Sequence, residues 1–544
     1  MTPTKRAKVR AFYMSETYGQ TMEVPFSAEV RTKIICTIGP ASANEAMIRG
    51  LVMCGMSVAR LNFSHGKHEW FAEVIATVRR VAAELNRTVA VMLDTKGPEV
   101  RTCSLAGGES VMLHKDTTFT LLTDTSVDGD DTRVATTYPG LPQSVEVGDY
   151  ILIDDGLIRL RVTEVHTDSV VTTVLNSGQL GQNKGVNLPG KEYDLPAVTA
   201  KDRADIAFGV EQNVDIIAAS FIRNKANVDE VRALPGVADA GIHIVSKIES
   251  TEGLTNFDEI LAASDGIMVA RGDLGVEIPI EKVCNEQKKM ISKCNQAGKP
   301  VITATQMLDS MIRNPRPTRA ECTDVANAVF DGTDCVMLSG ETASGKYPVE
   351  SVQMMGKISE EAERILSYHQ LFLAIKALKE DGVAVEETVA SSAVNAAFEQ
   401  KARAIVALTN TGNTARLIAK YCPACPIFAV TATPQTARQL RLQEVVQLEV
   451  AGAQRQLVDL QLVQPEHLYQ HAVQAHGFVF DDAAFIGIAG GRWQTLKQLP
   501  VGLHQQAKGV FHVMHGGGDD GRKVQLLVVP VLAHSESTRS SNLR

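Results

Sequence analysis

The chain of 544 residues is 44% hydrophobic and 22% charged, which is typical of a soluble globular protein with three or four domains of roughly 150 residues. Its net charge of -9 argues against a nucleic acid or an acidic membrane surface as the main partner, and no apolar run reaches the ~18 residues of a membrane-spanning helix. Nine cysteines scattered over this length are unlike a disulfide scaffold and indicate a reducing compartment, so we expect a cytoplasmic protein.

From about residue 31 the sequence alternates short apolar runs with amphipathic stretches, a pattern typical of βα units around a parallel sheet. Residues 1–30 carry four basic side chains without the apolar stretch of a secretory signal, and are predicted to form a tail. Eight strands predict a (β/α)₈ barrel of residues 31–96 and 197–366, with functional groups at the carboxyl ends of the strands. The predicted strands are Lys33–Ile38, Ser57–Asn62, Val89–Asp94, Val214–Phe221, Ile242–Lys247, Gly266–Ala270, Pro300–Thr305 and Asp334–Leu338.

The third and fourth predicted strands are separated by far more residues than one βα loop holds. The β-rich runs in this gap alternate with Gly and Asp turns, which predicts an inserted all-β domain, residues 97–196, that acts as a lid over the barrel. Residues 367–544 are predicted to form a C-terminal α/β domain. The predicted elements are the strands Phe119–Leu122, Tyr150–Ile153, Ile158–Val165 and Val170–Val174 in the insertion, then helix Val389–Gln400, strand Ala404–Leu408, helix Thr414–Lys420 and strand Ile427–Val430.

Polar side chains follow six of the eight predicted barrel strands. One strand-end carboxylate is usually a cap or a loop anchor, but six polar strand ends at one rim favour a catalytic site. These strand ends carry Arg60-Leu-Asn62-Phe-Ser64-His65, Asp94-Thr95-Lys96-Gly97-Pro98-Glu99, Lys247-Ile-Glu249, Arg271-Gly272-Asp273, Thr305-Gln-Met307 and Ser339-Gly-Glu341.

Two carboxylates and two cations of this rim suit phosphoryl transfer. Glu249 and Asp273, on adjacent strands, can share Mg²⁺, which takes one or two protein carboxylates and completes its octahedron with substrate oxygens and water. Lys247 lies two residues before Glu249, so strand alternation points both side chains inward. Its ammonium and the guanidinium of Arg60 suit the charge of a transferring phosphoryl group.

Four further residues, Asn62, Ser64, Asp94 and Thr95, offer neutral oxygens and one carboxylate from neighbouring strands. This set is poor for a transition metal but suits a large monovalent cation. It also suits a hydrogen-bond network that ties the two strand ends together, and the spacing alone leaves both interpretations open.

Between about Arg31 and Leu440 a series of motifs, in order and with consistent spacing, resembles the pyruvate kinase family. The combination is highly specific for that family. The matching runs are Cys36-Thr-Ile-Gly-Pro-Ala-Ser42, Ala59-Arg-Leu-Asn-Phe-Ser-His-Gly66, Leu93-Asp-Thr-Lys-Gly-Pro-Glu99, Gly185-Val-Asn-Leu-Pro-Gly190, Ser246-Lys-Ile-Glu249, Met268-Val-Ala-Arg-Gly-Asp-Leu-Gly-Val-Glu277, Ala304-Thr-Gln-Met-Leu308 and Arg316-Pro-Thr-Arg-Ala-Glu321.

The resemblance implies transfer of the phosphoryl group of phosphoenolpyruvate to ADP, giving pyruvate and ATP in the last step of glycolysis. It implies that Lys247 stabilises the transferring group and that Glu249 and Asp273 hold Mg²⁺, which Mn²⁺ can replace. It places enolate protonation near Thr305. The other implied roles are substrate contacts from Arg60, Gly272, Asp273 and Thr305, and a proton path through Ser339 and Glu341.

The resemblance also makes the set Asn62, Ser64, Asp94 and Thr95 a K⁺ site. Glu99 matches a position that is Glu in K⁺-dependent members and Lys in K⁺-independent members, so we expect K⁺ dependence. The family further implies a cytoplasmic homotetramer. Nucleotide contacts are implied for Asn62, His65, Arg101 and Lys184.

In the C-terminal domain, Thr409-Asn-Thr411-Gly412-Asn-Thr414 resembles the family's sugar-phosphate effector loop, although an ordinary strand-to-helix turn has the same pattern. Beyond about Leu442 the motifs are no longer recognisable. Only Gly487–Gly491, with Arg492 and Trp493, imitates a second effector loop. The segment is interpreted as either a diverged tail or a changed reading frame near Arg441, with the second slightly favoured.

Two rival functions differ from this interpretation. Another phosphoenolpyruvate-using barrel, such as a mutase or synthase, would not need Arg101 and Lys184, which suit a nucleotide. A catalytically silent subunit would fit the altered C-terminal segment, but every site position named above carries the residue that the family requires.

Overall fold

The structure is a computed structural model that describes residues 30–191, 195–378, 382–443 and 445, together with the backbone of residues 446–449 and of the strands 481–489, 492–495, 512–517 and 523–530. The predicted N-terminal tail, apart from residue 30, lies outside these residues. Two compact units are built on Thr32–Glu363 and on the residues from Arg364 onward. None of the helices in the described ranges is both long and apolar enough to cross a membrane.

Eight parallel strands close into a barrel, each paired with its neighbours in chain order and the last with the first. The predicted fold class is confirmed, and all eight predicted strands are found with ends shifted by at most two residues. Their side chains are buried almost throughout, because helices cover the outside and side chains fill the inside. The strands are Lys33–Thr37, Met56–Asn62, Ala90–Asp94, Ile216–Ala219, His243–Ile248, Gly266–Ala270, Val301–Ala304 and Cys335–Leu338.

The helices of the barrel carry clear start signals. A capping box joins Thr199 to Asp202 at the start of one of them, and a second one joins Thr318 to Glu321. The helices are Glu45–Met53, His68–Glu84, Ala200–Glu211, Lys225–Arg232, Thr251–Thr255, Phe257–Ala263, Arg271–Glu277, Ile280–Ala297, Arg319–Asp331, Gly340–Ala343 and Pro348–Arg364.

At the amino ends of the strands, an aspartate precedes each of the fourth, sixth and eighth barrel strands. Each carboxylate accepts the N–H at the start of the neighbouring strand, so these buried donors are satisfied without water. This end of the barrel is thereby fixed, while the carboxyl ends remain free for function. The three pairs are Asp215 with Val91, Asp265 with Ile244 and Asp334 with Val301, at 2.9, 2.8 and 3.0 Å.

Between the third and fourth barrel strands the chain forms an all-β insertion with a six-stranded and a two-stranded sheet. Residues alternate between buried and exposed along Ile158–Val165, as expected where one face of a sheet covers a core. All four strands predicted here are found. The strands are Val111–Leu113, Thr118–Leu122, Arg133–Ala135, Tyr150–Ile153, Ile158–Val165, Ser169–Val174, Gly178–Leu180 and Val186–Asn187, with a short helix at Leu141–Ser144.

The second unit is an α/β domain with a seven-stranded sheet. The predicted helices and strands are found, although the first helix begins four residues earlier, at Val385. In the order of the sheet, the strands are Val445–Glu449, Ile427–Thr431, Ala404–Leu408, Lys523–Pro530, His512–Gly517, Asp481–Ala489 and Arg492–Thr495; the helices are Tyr368–Ala377, Val385–Gln400, Asn413–Lys420 and Pro434–Gln439.

Candidate active site

Lys247, on the fifth barrel strand, occupies the centre of the rim. Its ammonium donates hydrogen bonds to Asp94 Oδ1 at 3.1 Å and to Ser220 Oγ at 2.7 Å, and forms an ion pair with Glu249 Oε1 at 2.9 Å. These three partners match the three N–H donors of an ammonium. Burial by itself would lower the pKa of Lys247, but Asp94 and Glu249 outweigh it and raise the pKa, so the side chain stays charged.

Asp94, at the end of the third strand, lies between two cations. Its Oδ2 accepts a hydrogen bond of 2.7 Å from Arg60 Nε, while its Oδ1 faces Lys247. Burial would raise the pKa of Asp94, but these two charges lower it below its usual range. Arg60 is also held by Thr37, whose Oγ1 accepts from Nη1 at 2.8 Å. The structure therefore fixes both predicted cations, Lys247 and Arg60, around one buried carboxylate.

Glu249 follows Lys247 on the same strand, and Asp273 follows the sixth strand. Burial and the charge of Asp273 raise the pKa of Glu249 to about 7, against the opposing charge of Lys247. Such mutual influence requires the two carboxylates to lie near each other, and a bound divalent cation would relieve it. In the described ranges no group of three or more His, Cys, Asp or Glu side chains is placed to hold a metal ion. A pair of carboxylates fits Mg²⁺ whose remaining ligands are substrate oxygens and water.

Thr305 follows the seventh strand in a strained conformation. The φ of Thr305 is +75° and that of the next residue, Gln306, is +54°. A positive φ is rare for non-glycine residues, above all for a β-branched one such as threonine, and costs about 1–3 kcal/mol per residue. A Cβ on Gly272 would lie 2.8 Å from the Thr305 methyl carbon, so only glycine lets Thr305 pack there. The predicted substrate contacts Gly272 and Thr305 are thus brought together.

Arg271 supports the same residue from the backbone side. Its guanidinium donates to the carbonyl oxygens of Ala304 at 3.1 Å and Thr305 at 2.6 Å, and it pairs with Asp324 at 2.7 Å. The resemblance implied roles for the neighbouring Gly272 and Asp273, whereas Arg271 stood in the same run without a role.

Glu341 and Ser339 lie beyond the eighth strand. The buried Glu341 carboxylate accepts hydrogen bonds from the backbone N–H groups of Ser339 at 2.8 Å and Leu308 at 3.0 Å, and its burial raises its pKa. The carboxylate thereby joins the ends of the seventh and eighth strands. Ser339 lies in this junction with a half-buried side chain.

The four residues of the candidate K⁺ site lie on two adjacent strand ends, where Asn62 pairs in register with Asp94. The Asn62 Oδ1 accepts from the backbone N–H of Ser64 at 3.1 Å. The carbonyl oxygen of Thr95 accepts a hydrogen bond of 2.7 Å from Ser220 Oγ. Local hydrogen bonds therefore orient the candidate oxygens. This arrangement fits both a K⁺ site and a hydrogen-bond network that ties the two strand ends together.

Ser220 is a site residue that the sequence did not reveal. The fourth predicted strand was an apolar run with this single hydroxyl, so no motif pointed to it. In the structure it links Lys247 to Thr95 across two strand ends.

The predicted nucleotide contacts Arg101 and Lys184 lie on adjacent segments of the insertion, where Arg101 bridges to Gly185. Arg101 pairs with Glu99 at 2.7 Å and Lys184 with Asp154 at 3.0 Å. His65 lies exposed in the turn after the second barrel strand.

One turn of the insertion faces the rim. Burial and the charge of Asp273 raise the pKa of Asp155, which lies in the turn after Tyr150–Ile153. The charges of Lys184 and Arg101 act in the opposite direction on the same carboxyl. The insertion thus brings basic side chains to the side of the barrel that carries the carboxylates.

In the second unit the candidate effector loop is closed by its own hydrogen bonds. Thr409 Oγ1 accepts from the backbone N–H of Gly412 at 2.9 Å, and Gly412 has φ +85°. Thr414 is buried in the first turn of the following helix, and the carbonyl oxygen of Thr411 accepts from Arg416 at 2.6 Å. These contacts fit both a ligand loop and an ordinary turn.

The second glycine-rich segment is not a single loop in the structure. Gly487 lies inside the strand Asp481–Ala489, and Arg492 and Trp493 begin the antiparallel strand that pairs with it. Gly490 and Gly491 lie outside the described residues.

Comparison with known proteins identifies the family. Residues 29–352 match the model of the pyruvate kinase barrel domain, and residues 387–496 match that of the pyruvate kinase alpha/beta domain. The second match extends beyond Leu442, where the recognisable motifs end.

Individual relatives agree over most of their length. Pyruvate kinase from Dictyostelium discoideum is 53% identical over 77% of this chain and 84% of the relative, and that from Leishmania mexicana is 53% identical over 76% and 84%. The crystal structure of a pyruvate kinase from Cryptosporidium parvum superposes with a TM-score of 0.79 at 44% identity, covering 86% of this chain and 96% of that one. The chain belongs to the pyruvate kinase family of phosphotransferases.

Proposed function

We propose that the barrel rim transfers the phosphoryl group of phosphoenolpyruvate to ADP and releases pyruvate and ATP, the last step of glycolysis. The observation that carries this proposal is the Lys247 ammonium, fixed by three partners beside the guanidinium of Arg60. Two prearranged cations stabilise the charge on a transferring phosphoryl group without reorganisation during the reaction.

Glu249 and Asp273 would hold the Mg²⁺ of the substrate, and Mn²⁺ suits the same oxygen donors. When bound, the ion neutralises charge on the phosphoryl oxygens. The Lys247 ammonium lies 2.9 Å from Glu249 Oε1. Lys247 is therefore placed beside a proposed metal ligand and next to the phosphoryl group that the ion would hold.

Thr305, with Ser339 and Glu341, forms the proposed protonation side of the site. Loss of the phosphoryl group leaves the enolate of pyruvate, which must receive a proton at its methylene carbon. The backbone around Thr305 is held in a single strained conformation, which suits a residue that orients a donor. Glu341 would keep the Ser339 segment in place through its hydrogen bond to the backbone.

We assign Asn62, Ser64, Asp94 and Thr95 to a K⁺ site and expect K⁺ dependence. Asp94 belongs both to the proposed phosphoryl-transfer site and to the proposed K⁺ site. Its two oxygens face Arg60 and Lys247, and it lies next to the other candidate K⁺ ligands. Asn62, His65, Arg101 and Lys184 would bind the phosphates of ADP, the last two when the insertion closes as a lid.

The proposal extends to assembly and control. It comprises a cytoplasmic homotetramer with a sugar-phosphate effector at Thr409, Thr411, Gly412 and Thr414. The corresponding domains are the barrel of residues 31–96 and 197–366, the lid of residues 97–196 and the C-terminal domain of residues 367–544. Support comes from the family membership and from the position of the loop before the helix Asn413–Lys420.

The test is pyruvate formation from phosphoenolpyruvate and ADP, coupled to lactate dehydrogenase, with and without Mg²⁺. K⁺ is replaced by tetramethylammonium at constant ionic strength to separate the cation from general salt effects. We expect turnover that needs both ions, and loss of roughly 10²–10³-fold in kcat for Lys247→Met. Folded protein without turnover would favour the silent-subunit alternative, and equal turnover without K⁺ would contradict the K⁺ site.

A further inference from the structure

Thr305 occupies a backbone conformation that its own side chain disfavours. Its φ of +75° and the +54° of Gln306 place two successive non-glycine residues in the left-handed region. A β-branched residue persists there only when its surroundings hold it. The surroundings that hold Thr305 are therefore part of the site.

Arg271 supplies that restraint on the backbone side. Nε donates to the Ala304 carbonyl oxygen at 3.1 Å and Nη2 to the Thr305 carbonyl oxygen at 2.6 Å, so one planar group holds two consecutive peptides. Nη1 pairs with Asp324 Oδ2 at 2.7 Å, which fixes the plane of the guanidinium. The Arg271 side chain is only 13% exposed, so water does not compete strongly for these bonds.

Gly272 limits Thr305 on the side-chain face. The position of a Cβ on Gly272 lies 2.8 Å from the Thr305 Cγ2, so the threonine methyl group packs directly against the glycine backbone. With the methyl group confined there and the carbonyl held by Arg271, the direction of the remaining substituent, the hydroxyl, is also set.

We propose that Arg271 is a positioning residue for proton transfer: it holds the strained Thr305 backbone so that the Thr305 hydroxyl is aimed at the carbon that accepts the proton. The inference rests on the protonation role proposed for Thr305. Lysine cannot replace arginine here, because a point-like ammonium cannot reach two carbonyl oxygens and a carboxylate in one plane.

The test follows proton exchange at C3 of pyruvate in D₂O, with Mg²⁺, K⁺ and inorganic phosphate and without nucleotide. In this exchange the C3–H bond breaks, the proton leaves to solvent, and the enolate takes up a deuteron, so no phosphoryl transfer is involved. We expect Arg271→Lys to slow the exchange roughly 10- to 100-fold, the cost of displacing a catalytic group by a fraction of an ångström to an ångström.

A double-mutant cycle with Thr305→Val separates positioning from general structure. Valine keeps the shape of Thr305 but has no hydroxyl to aim, so we expect Arg271→Lys to add less than about threefold in the Thr305→Val background. An equal cost in both backgrounds would show that Arg271 acts elsewhere and overturn the inference. An unchanged exchange rate in Thr305→Val alone would instead overturn the role of Thr305.

Two further variants control for folding. Arg232→Lys is the matched control, since Arg232 also binds a carbonyl oxygen and an aspartate, Ala263 and Asp265, both at 3.0 Å, but at the amino-terminal end of the barrel. It should leave the exchange rate unchanged. Asp324→Asn keeps Arg271 but weakens the ion pair that anchors its guanidinium, so it should also slow the exchange, by a smaller factor than Arg271→Lys. Normal exchange rates in folded Asp324→Asn and Arg271→Lys proteins would contradict the inference.

Discussion

The Ser220 hydroxyl accepts a hydrogen bond of 2.7 Å from the Lys247 ammonium. The same hydroxyl donates to the Thr95 carbonyl oxygen, also at 2.7 Å. One serine thus connects the ammonium proposed to face the phosphoryl group with an oxygen of the proposed K⁺ site. Because a hydroxyl carries a single proton, accepting from Lys247 leaves that proton for Thr95.

Ser220→Ala should weaken the response to K⁺. Without the hydroxyl the Thr95 carbonyl loses its donor and its direction, so we expect the half-saturating K⁺ concentration to rise several-fold, which corresponds to about 1 kcal/mol. It is measured in the coupled assay and, independently of turnover, from the rise in Tm on adding KCl in place of tetramethylammonium chloride.

Ser246→Ala is the matched control for this prediction. Ser246 is equally buried on the neighbouring strand, but its hydroxyl pairs with Ser264 at 2.6 Å rather than with a site residue. Its K⁺ response should match that of the wild type. A Ser220→Ala enzyme with an unchanged K⁺ response would contradict the link between Lys247 and the cation site.

Gly272→Ala should damage catalysis more than folding. The added Cβ would meet the Thr305 Cγ2 at 2.8 Å, closer than side chains approach, and Thr305 has no long flexible side chain with which to yield. We expect kcat for pyruvate formation to fall roughly 10- to 100-fold through displacement of Thr305. Gly275→Ala is a suitable control, because its added Cβ would make an ordinary contact of 3.7 Å with Val283. Similar kcat values for Gly272→Ala and Gly275→Ala would contradict the expected clash between the added Cβ and Thr305.

Asp202 joins the segment that leaves the barrel for the insertion to the segment that returns. Its Oδ1 accepts from the Gly97 N–H at 3.1 Å, and its Oδ2 accepts from the Thr199 N–H at 3.0 Å and hydroxyl at 2.6 Å. Asp202→Ala should lower the free energy of unfolding by about 1–3 kcal/mol and raise the KM for ADP. Denaturant unfolding and steady-state kinetics measure the two effects.

Glu321→Ala is the control, because Glu321 occupies the same position in the other capping box, away from the insertion. It should lose a comparable free energy of unfolding while keeping the wild-type KM for ADP. If Asp202→Ala also kept that KM, the junction would have no part in nucleotide binding.

Glu321 also predicts a pH dependence of stability. Burial would raise the pKa of Glu321, but hydrogen bonds from Ser310 and Thr318 outweigh it and lower the pKa. A carboxylate with a lowered pKa in the folded state stabilises the fold above its unfolded pKa of about 4.3, and this contribution is lost as the pH falls below that value.

The measurement compares the Tm of wild-type protein and Glu321→Gln between neutral and acid pH. The wild type should melt higher near pH 7, and the difference should shrink below about pH 4 as the carboxylate is protonated. A difference that stayed constant down to acid pH would mean that the hydrogen bonds do not depend on the charge.

Much of the fold could be predicted from local pattern. The apolar runs of the barrel strands are visible because a strand buried on both faces carries few polar residues, and the structure shifts their ends by at most two residues. A capping box such as that of Thr199 and Asp202 is also a local feature, since the cap and its partner lie within one turn of helix. These features depend only on neighbours in the chain.

The candidate site was predictable where polar residues interrupt these patterns. Lys247 and Glu249 stand at alternate positions of one strand, so their common direction follows from the period of two. The family model of the C-terminal domain matches as far as residue 496, beyond the last recognisable motif near Leu442, because a family model weighs many weak positions and a short motif only a few strong ones.

The sequence by itself therefore determined the order and type of elements and the polar strand ends, because both follow from periodicities of a few residues. Only the tertiary structure decided which atoms meet: Ser220 between Lys247 and Thr95, and Arg271 on the strained Thr305. Those contacts depend on barrel closure, strand register and backbone dihedral angles. Residues far apart in the chain set all three together, and no local pattern encodes them.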